Sequence, residues 1–446
     1  MRELGVYVDA TLVGTLQEDN NIWSLTYAPS WLVANEGFDL SPALFRTAAT
    51  HRDGSSVRPV QWYFDNLLPE EDLRLAVARD AGIADVQDAF SLLTYLGAES
   101  TGALTLLPPG TPLPNTRTAS TLSPAQLSAR IAELPRQTLT RQAPKRMSIA
   151  GAQHKLLALV LGDEMYEPEG ATPSTHILKP DHPLAETYPA SALNEYVTMR
   201  LAKAAQLNVP DVRLFYVPQP VYCVDRFDRP VGKTARNAPL GEKLQAVHRL
   251  HIIDACQLLN KDRLFKHAGA SLESLARIIE ASTNKAQSRL ILFRWLVFNV
   301  LVGNDDAHLK NLSFFVSHEG IRLAPHYDLL CTGAYHTRAI ADDDARWAAV
   351  PMAFELPGGM RTFGEVTRSA LIAAGDVLGV PSRPASSIIH EVVSRVESAF
   401  ADLLKERKAF REQAAEPLGP YIAMEDRILR IIEHLTLKDM LERLRK

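Results

Sequence analysis

Alternating apolar and polar residues from Gly5 to Leu16 predict two short strands around an Asp9-Ala10 turn, and a third strand is predicted over Trp23 to Tyr27. The period then lengthens. Leu73, Ala76 and Val77 share one helical face between Glu70 and Arg79, and Ala89, Leu92 and Leu93 repeat it between Asp88 and Tyr95. With a closing strand at Gly102 to Leu107, residues 1–107 read as a small α+β subdomain. Residues 108–147 read as a linker followed by a helix: Pro108 to Thr116 is Pro/Thr-rich, and Ser123-Pro124 offers an N-cap and an N1 proline. Strand patterns return at Leu156–Leu161, Thr175–Leu178, Val212–Val217 and Val221–Val224, with a helix at Asn194–Gln206, so residues 148–230 form a β-rich lobe. From about Leu244 helical periodicity dominates, and residues 231–446 read as an α-rich lobe. Its most apolar run, Leu290 to Val302, is interrupted by Arg294 and is too short to span a bilayer; it reads as a buried helix.

That run ends at Gly303-Asn304-Asp305-Asp306-Ala307-His308-Leu309-Lys310-Asn311. A hairpin follows, Leu312–Val316 and Ile321–Leu323, turning at His318-Glu319-Gly320 and leading to Asp328. An acidic loop at the mouth of a buried helix, with a further carboxylate after a hairpin, has the chemistry of a place where a divalent metal meets a phosphate. Phosphoryl transfer asks a protein for phosphate cradling, charge neutralisation and an oriented nucleophile. Asp306 is the candidate base or orienting carboxylate for a substrate hydroxyl, with Asp305 its competitor; the spacing Asp306-x-His308-x-x-Asn311 favours Asp306. His308 reads as a structural residue holding the loop. Asn311 and Asp328 offer the hard oxygens that Mg²⁺ takes beside phosphate. Lys310 is placed either to touch the transferred phosphate or to sit solvated on the loop.

Lys179, ending the strand at Thr175–Leu178, is either a phosphate-neutralising lysine or an edge lysine that discourages strand pairing. Glu195, on the next helix, is the candidate acid partner. Ala150, Gly151, Ala152 and Gln153 form a short small-residue turn before a strand, whose amides are suited to curl round phosphates, although it is neither a Walker A nor a G-x-G-x-x-G sequence. Asp225 and Phe227 leave the last strand of the β-rich lobe where an adenine ring would sit.

Composition narrows this only slightly. In 446 residues, 46% hydrophobic and 22% charged content is that of a globular protein, and a net charge of −4 gives no basic footprint for nucleic acid bound by this chain alone. The N-terminus shows no signal-peptide pattern. Three cysteines without ligand spacing fit free thiols, so a cytoplasmic protein with no membrane association is expected.

Taken together, Ser148 to Gln153, His176 to Lys179, Asn194-Glu195-Tyr196, Asp225 to Arg229, His251 to Gln257, Asn304 to Asn311 and Tyr327-Asp328 resemble the HipA-like serine/threonine kinases. These are toxin components of bacterial type II toxin–antitoxin modules. Tyr27 to Leu32 and Phe64 to Pro69 extend the resemblance across nearly the whole chain. It implies a bilobed protein-kinase and phosphatidylinositol-kinase-like fold with an appended N-terminal subdomain. Asp306 would be catalytic, Asn311 and Asp328 would bind Mg²⁺, and Lys179 would bind the phosphates of ATP. It places autophosphorylation, which silences such kinases, at Ser148. It implies a small helix-turn-helix antitoxin of HipB type, operator DNA bound mainly through that antitoxin, and a protein substrate such as an aminoacyl-tRNA synthetase, glutamyl-tRNA synthetase among them. His154 and Ile252-Ile253-Asp254 depart from the pattern, in each case where better-known members carry acids. Two other readings stand beside the toxin kinase: a non-catalytic co-repressor scaffold, and a small-molecule or lipid kinase.

Overall fold

The alternating segments at the start of the chain pair as antiparallel strands, β1 (Arg2–Val8), β2 (Thr11–Asp19) and β3 (Ile22–Tyr27). Their tight turns are made by Asp9 at φ 50° and by Asn20 and Asn21 at φ 51° and 61°, a left-handed conformation that short polar side chains tolerate. β4 (Thr50–Arg52) and β5 (Leu104–Leu107) complete the order β4-β3-β2-β1-β5. Leu4, Val6, Leu16, Trp23 and Leu25 are buried, and Trp23 meets Phe90 of helix Ala89–Leu96 edge-on at 5.2 Å.

The computed structural model describes residues 1–147, 150–151, 153–232, 239–413 and 418–446. They form two compact units, one of Met1–Lys179, Val224–Phe265 and Ser313–Ala324, the other of Pro180–Cys223, Lys266–Leu312 and Pro325–Lys446. The fold is α+β, with several antiparallel sheets and a helix-rich second unit.

In the first unit β6 (Arg117–Thr121), β7 (Leu156–Leu161), β8 (Glu164–Gly170) and β9 (His176–Pro180) run antiparallel in the order β6-β8-β7-β9. β6 and β8 escape the sequence pattern. One is a polar Arg-Thr-Ala-Ser-Thr stretch and the other carries Pro168 and Gly170, so cross-strand pairing outweighs weak local propensity. The helix expected at Ser123 spans Pro124–Ala132 and starts with a complete capping box. Gln126 N–H donates to Ser123 Oγ at 3.2 Å, and Ser123 N–H donates to Gln126 Oε1 at 2.8 Å. Ile252–Asp254 is a strand rather than part of a helix, paired with Ser313–Ser317, which pairs in turn with Gly320–Leu323. Asp254 then caps helix Ala255–Leu258, accepting from the Gln257 N–H at 2.8 Å.

The second unit is organised round helices Ser191–Ala204, Lys285–Val302 and the 32-residue Ser382–Gln413. Arg294, the charge inside the apolar run, reaches out of it to the Ala205 carbonyl at 3.0 Å and to Glu391 at 2.7 Å. A hairpin, Pro351–Leu356 with Met360–Thr362, interrupts the helical pattern expected here. Its turn rests on Gly358 and Gly359 at φ 90° and 76°, values that a side chain would strain. Cys223, Cys256 and Cys331 are buried and form no disulfide. Among the described residues no helix is long and apolar enough to cross a membrane.

A buried ionic cluster ties the first unit together. Glu99 lies 2.9 Å from Lys145, 3.5 Å from Arg226 and 3.4 Å from Arg229, and Asp228 lies 2.7 Å from both arginines. Asp228 also accepts from the Gly102 N–H at 3.1 Å, and Lys145 donates to the Thr172 carbonyl at 3.0 Å. Burial alone would raise the Glu99 pKa. Lys145, Arg229 and Arg226 outweigh it and hold the carboxyl far below its ordinary 4.5. A depressed carboxyl stabilises the fold above its unfolded pKa, and that contribution is lost as pH falls toward the folded value. Glu99→Gln is therefore expected to lower unfolding stability by about 3–5 kcal/mol at neutral pH, because buried cations lose their counter-charge. The deficit should shrink below about pH 4.5, as followed by urea unfolding across a pH series. A deficit independent of pH would contradict this.

Candidate active site

Helix Lys285–Val302 delivers the acidic loop and stops at Gly303. Gly303 adopts φ 67° and ψ 43°, and its N–H caps the Asn299 and Val300 carbonyls. The next residue, Asn304, is buried and spends its whole amide on the turn. Its Nδ2 donates to Asn299 Oδ1 at 2.7 Å, and its Oδ1 accepts from the Asp306 N–H at 3.1 Å. Thr332 pins the same turn from the other side, donating to the Gly303 carbonyl at 3.1 Å and accepting from the Asp305 N–H at 2.8 Å.

The two adjacent acids are thereby separated in character. Asp305 has a side chain 25% exposed and lies 3.4 Å from His336. Burial pushes against ionisation, but hydrogen bonds from His336 and Thr332 win and lower its pKa; the His336 pKa is raised in return, chiefly by that hydrogen bond. Asp306 is 54% exposed, with Oδ1 3.6 Å from the buried His308 Nε2 and 4.0 Å from His267 Nε2. Both acids line an open cavity of about 350 Å³ with His267, Pro351, Met352 and Ala353.

The metal donors proposed from the sequence lie in the same unit. Asn311 follows in a short 3₁₀ turn, Leu309–Asn311, and its Nδ2 donates to the Asp306 carbonyl at 2.6 Å. With the amide nitrogen so committed, the oxygen is the atom left to offer a cation. Asp328 stands at φ 53° two residues after the buried His326. An amide oxygen and a carboxylate fit Mg²⁺, a hard cation that takes few protein oxygens and completes its shell with water and phosphate. Lys310 is only 6% exposed, which removes the solvated reading, and its carbonyl accepts from the Tyr327 hydroxyl at 2.9 Å.

Glu195 sits on helix Ser191–Ala204, where it and Asp328 both raise the pKa of the buried Tyr222, after desolvation as the leading cause. The residue beside it fixes both. Asn194 donates to the Cys331 carbonyl at 3.0 Å and accepts from the Cys331 N–H at 2.9 Å, a two-point lock between this helix and the segment after Asp328.

In the first unit Lys179 is buried on β9. Asp225 lies 3.1 Å from His176 Nε2 on the same strand, and Phe227 packs edge-on to Phe315 at 5.9 Å. Gly151 holds φ 107°, with a Cβ there 2.7 Å from Lys155 Nζ, and that amine donates to the Ala150 carbonyl at 2.7 Å. Gln153 follows, partly buried. Ser148 and Ala152 lie outside the described residues. The sequence reading quoted Asn194 in a matching stretch without giving it a role, and it missed Thr332, His336 and His267, which come from segments remote from the acidic loop with no local motif to mark them.

A turn of buried amides holding one exposed carboxylate, within an α+β fold, suits a protein of the kinase class. The HipA N-terminal domain model matches residues 4–107, and the HipA-like C-terminal domain model matches residues 147–400. The chain belongs to the HipA-like family. It is 34% identical over 348 residues to Y4mE, a candidate kinase of Sinorhizobium fredii, covering 75% of this chain and 78% of that protein. It is 29% identical over 426 residues to the serine/threonine-protein kinase toxin HipA of Shewanella oneidensis, covering 90% and 89%. Among solved structures, the Shewanella oneidensis complex of HipA, HipB and operator DNA matches with a TM-score of 0.75 at 26% identity, over 99% of each chain.

Asn194→Ala is expected to lower stability by about 1–3 kcal/mol, since it orphans the buried Cys331 N–H and leaves the Cys331 carbonyl only its bond from the Ala334 N–H. Urea unfolding should show a lower midpoint at unchanged slope. A midpoint equal to the parent would rule out the lock.

Proposed function

We propose that this chain is a Mg-ATP-dependent serine/threonine protein kinase that acts as the growth-inhibiting toxin of a toxin–antitoxin module. The observation that carries the reading is Asp306, held by its backbone through Asn304 yet exposed at the mouth of a cavity of about 350 Å³. Asp306 orients the substrate hydroxyl and takes its proton as the hydroxyl oxygen bonds to the γ-phosphorus and the bond to ADP breaks. His308 braces that carboxylate. Asn311 and Asp328 would hold Mg²⁺, which neutralises phosphate charge when bound. Lys179, Ala150, Gly151, Ala152, Gln153, Asp225 and Phe227 are assigned to the nucleotide, as is Glu195, and Lys310 to support of the catalytic loop.

The family supports three finer assignments. Ser148 is the residue whose autophosphorylation silences the kinase. The partner is a small helix-turn-helix antitoxin of HipB type, through which operator DNA is reached; the Shewanella oneidensis relative was solved in a complex with HipB and its operator DNA. The substrate is a translation factor such as an aminoacyl-tRNA synthetase.

Incubation with Mg-ATP is expected to add one phosphate to the intact chain, located at Ser148 by peptide mass spectrometry and absent from Ser148→Ala. Asn311→Ala and Asp328→Asn are each expected to raise the Mg²⁺ needed for half-maximal transfer by about tenfold or more while the chain still folds. An intact protein that neither gains phosphate nor binds ATP would leave the co-repressor reading in its place. A rise in phosphoserine on no protein after brief expression would favour a small-molecule substrate.

A further inference from the structure

His267 has no part in the phosphotransfer reading, yet it points where that chemistry would occur. Its Nε2 and the Nε2 of His308 approach the same oxygen, Asp306 Oδ1, at 4.0 Å and 3.6 Å. One ligand atom from each of the three residues lies within 4.8 Å of the others. The two imidazoles meet edge to face, centroids 4.7 Å apart at 83°. Their backbones are tied: the Leu309 N–H, next to His308, donates to the carbonyl of Lys266, next to His267, at 3.1 Å. His308 is buried, whereas His267 and Asp306 are more than half exposed and border the cavity, which supplies an entry path and room for a fourth ligand.

We propose that His267, Asp306 and His308 form a site for a borderline-soft divalent metal of the zinc or cobalt class, and that its occupation blocks phosphotransfer. The blocking half rests on the reading of Asp306 as the substrate-orienting carboxylate. Two imidazole nitrogens and one carboxylate oxygen, with an open fourth position, match the donor set of tetrahedral Zn²⁺. Metal–nitrogen bonds of about 2.0–2.1 Å at tetrahedral angles set ligand atoms roughly 3.3 Å apart. The observed separations, all within 4.8 Å, need an inward closure of up to about 1.5 Å, for which the exposed His267 and Asp306 side chains have room to rotate. Mg²⁺ prefers an oxygen octahedron, so the nitrogen-rich cluster discriminates against the ion that Asn311 and Asp328 suit. A metal on Asp306 takes the lone pairs that would meet the substrate hydroxyl. The chain then carries one cation site that enables transfer and another, a few residues away, that stops it.

The test is titration of the full chain with cobalt(II) chloride, read by its visible ligand-field bands, with zinc chloride as competitor. In parallel, phosphate incorporation from Mg-ATP is measured with and without zinc. The parent should show tetrahedral bands that zinc abolishes. His267→Ala should bind cobalt more than about tenfold more weakly, and the ratio of its transfer with zinc to that without zinc should return to about one. His267→Cys, which keeps a metal ligand, should restore both binding and inhibition, and His434→Ala should behave as the parent. Equal cobalt binding by the parent and His267→Ala would overturn the site. Tight His267-dependent binding with undiminished transfer would overturn its inhibitory role. A chain inactive under every condition would count against the kinase reading, while the cobalt titration would still decide the metal site.

Discussion

The acidic loop depends on a relay of three buried groups. The Trp295 carbonyl accepts from Asn299 at 2.8 Å, Asn299 accepts from Asn304 at 2.7 Å, and Asn304 accepts from the Asp306 N–H at 3.1 Å. Each amide is consumed by its neighbours, so the helix core extends by hydrogen bonds into the turn that carries the exposed acid. In a buried setting such bonds are strong, and an unmade one is costly. Gly303 permits the turn and Thr332 clamps it, so the backbone beneath the carboxylate is fixed from both sides. This is the division a phosphotransfer site requires: a rigid backbone beneath an accessible oxygen.

The same logic recurs in the first unit with ions in place of amides. Glu99 and Asp228 are both withdrawn from water; Lys145 reaches Glu99 from one stretch of chain, and Arg226 and Arg229 reach it from the stretch that also carries Asp228. Lys145 is thereby held in place through Glu99 and the Thr172 carbonyl. A hydrophobic cluster would serve stability as well. Paired charges add directional constraint.

Much of this was legible before the structure. The period-2 segments at Gly5–Leu16 and the Ser123-Pro124 start report local rules that tertiary packing did not overrule, and the apolar run ending at Gly303 became the helix that carries the loop. β6 was not legible because its partner β8 lies far along the chain, whereas β8 and the hairpin Pro351–Leu356 with Met360–Thr362 pair with near neighbours but lack an alternating pattern of their own. Within the candidate site, Asp306, Asn311 and Asp328 were named as candidates from the acidic loop and the hairpin that follows it. Thr332 and His267 could not be, since a lone hydroxyl or imidazole becomes meaningful only when folding brings it to the loop. Asp254 shows the converse: in a segment singled out for departing from the family pattern, its carboxylate caps a helix.

The central claim is that Asp306 serves the chemical step and not the binding of nucleotide. The direct measurement is Asp306→Asn against the parent, with Mg-ATP affinity and the single-turnover rate of phosphate transfer determined on the same samples. Affinity is expected to stay unchanged within about twofold while the rate falls by about 10²–10⁴. Transfer persisting near the parent rate, or affinity and rate falling together, would contradict it.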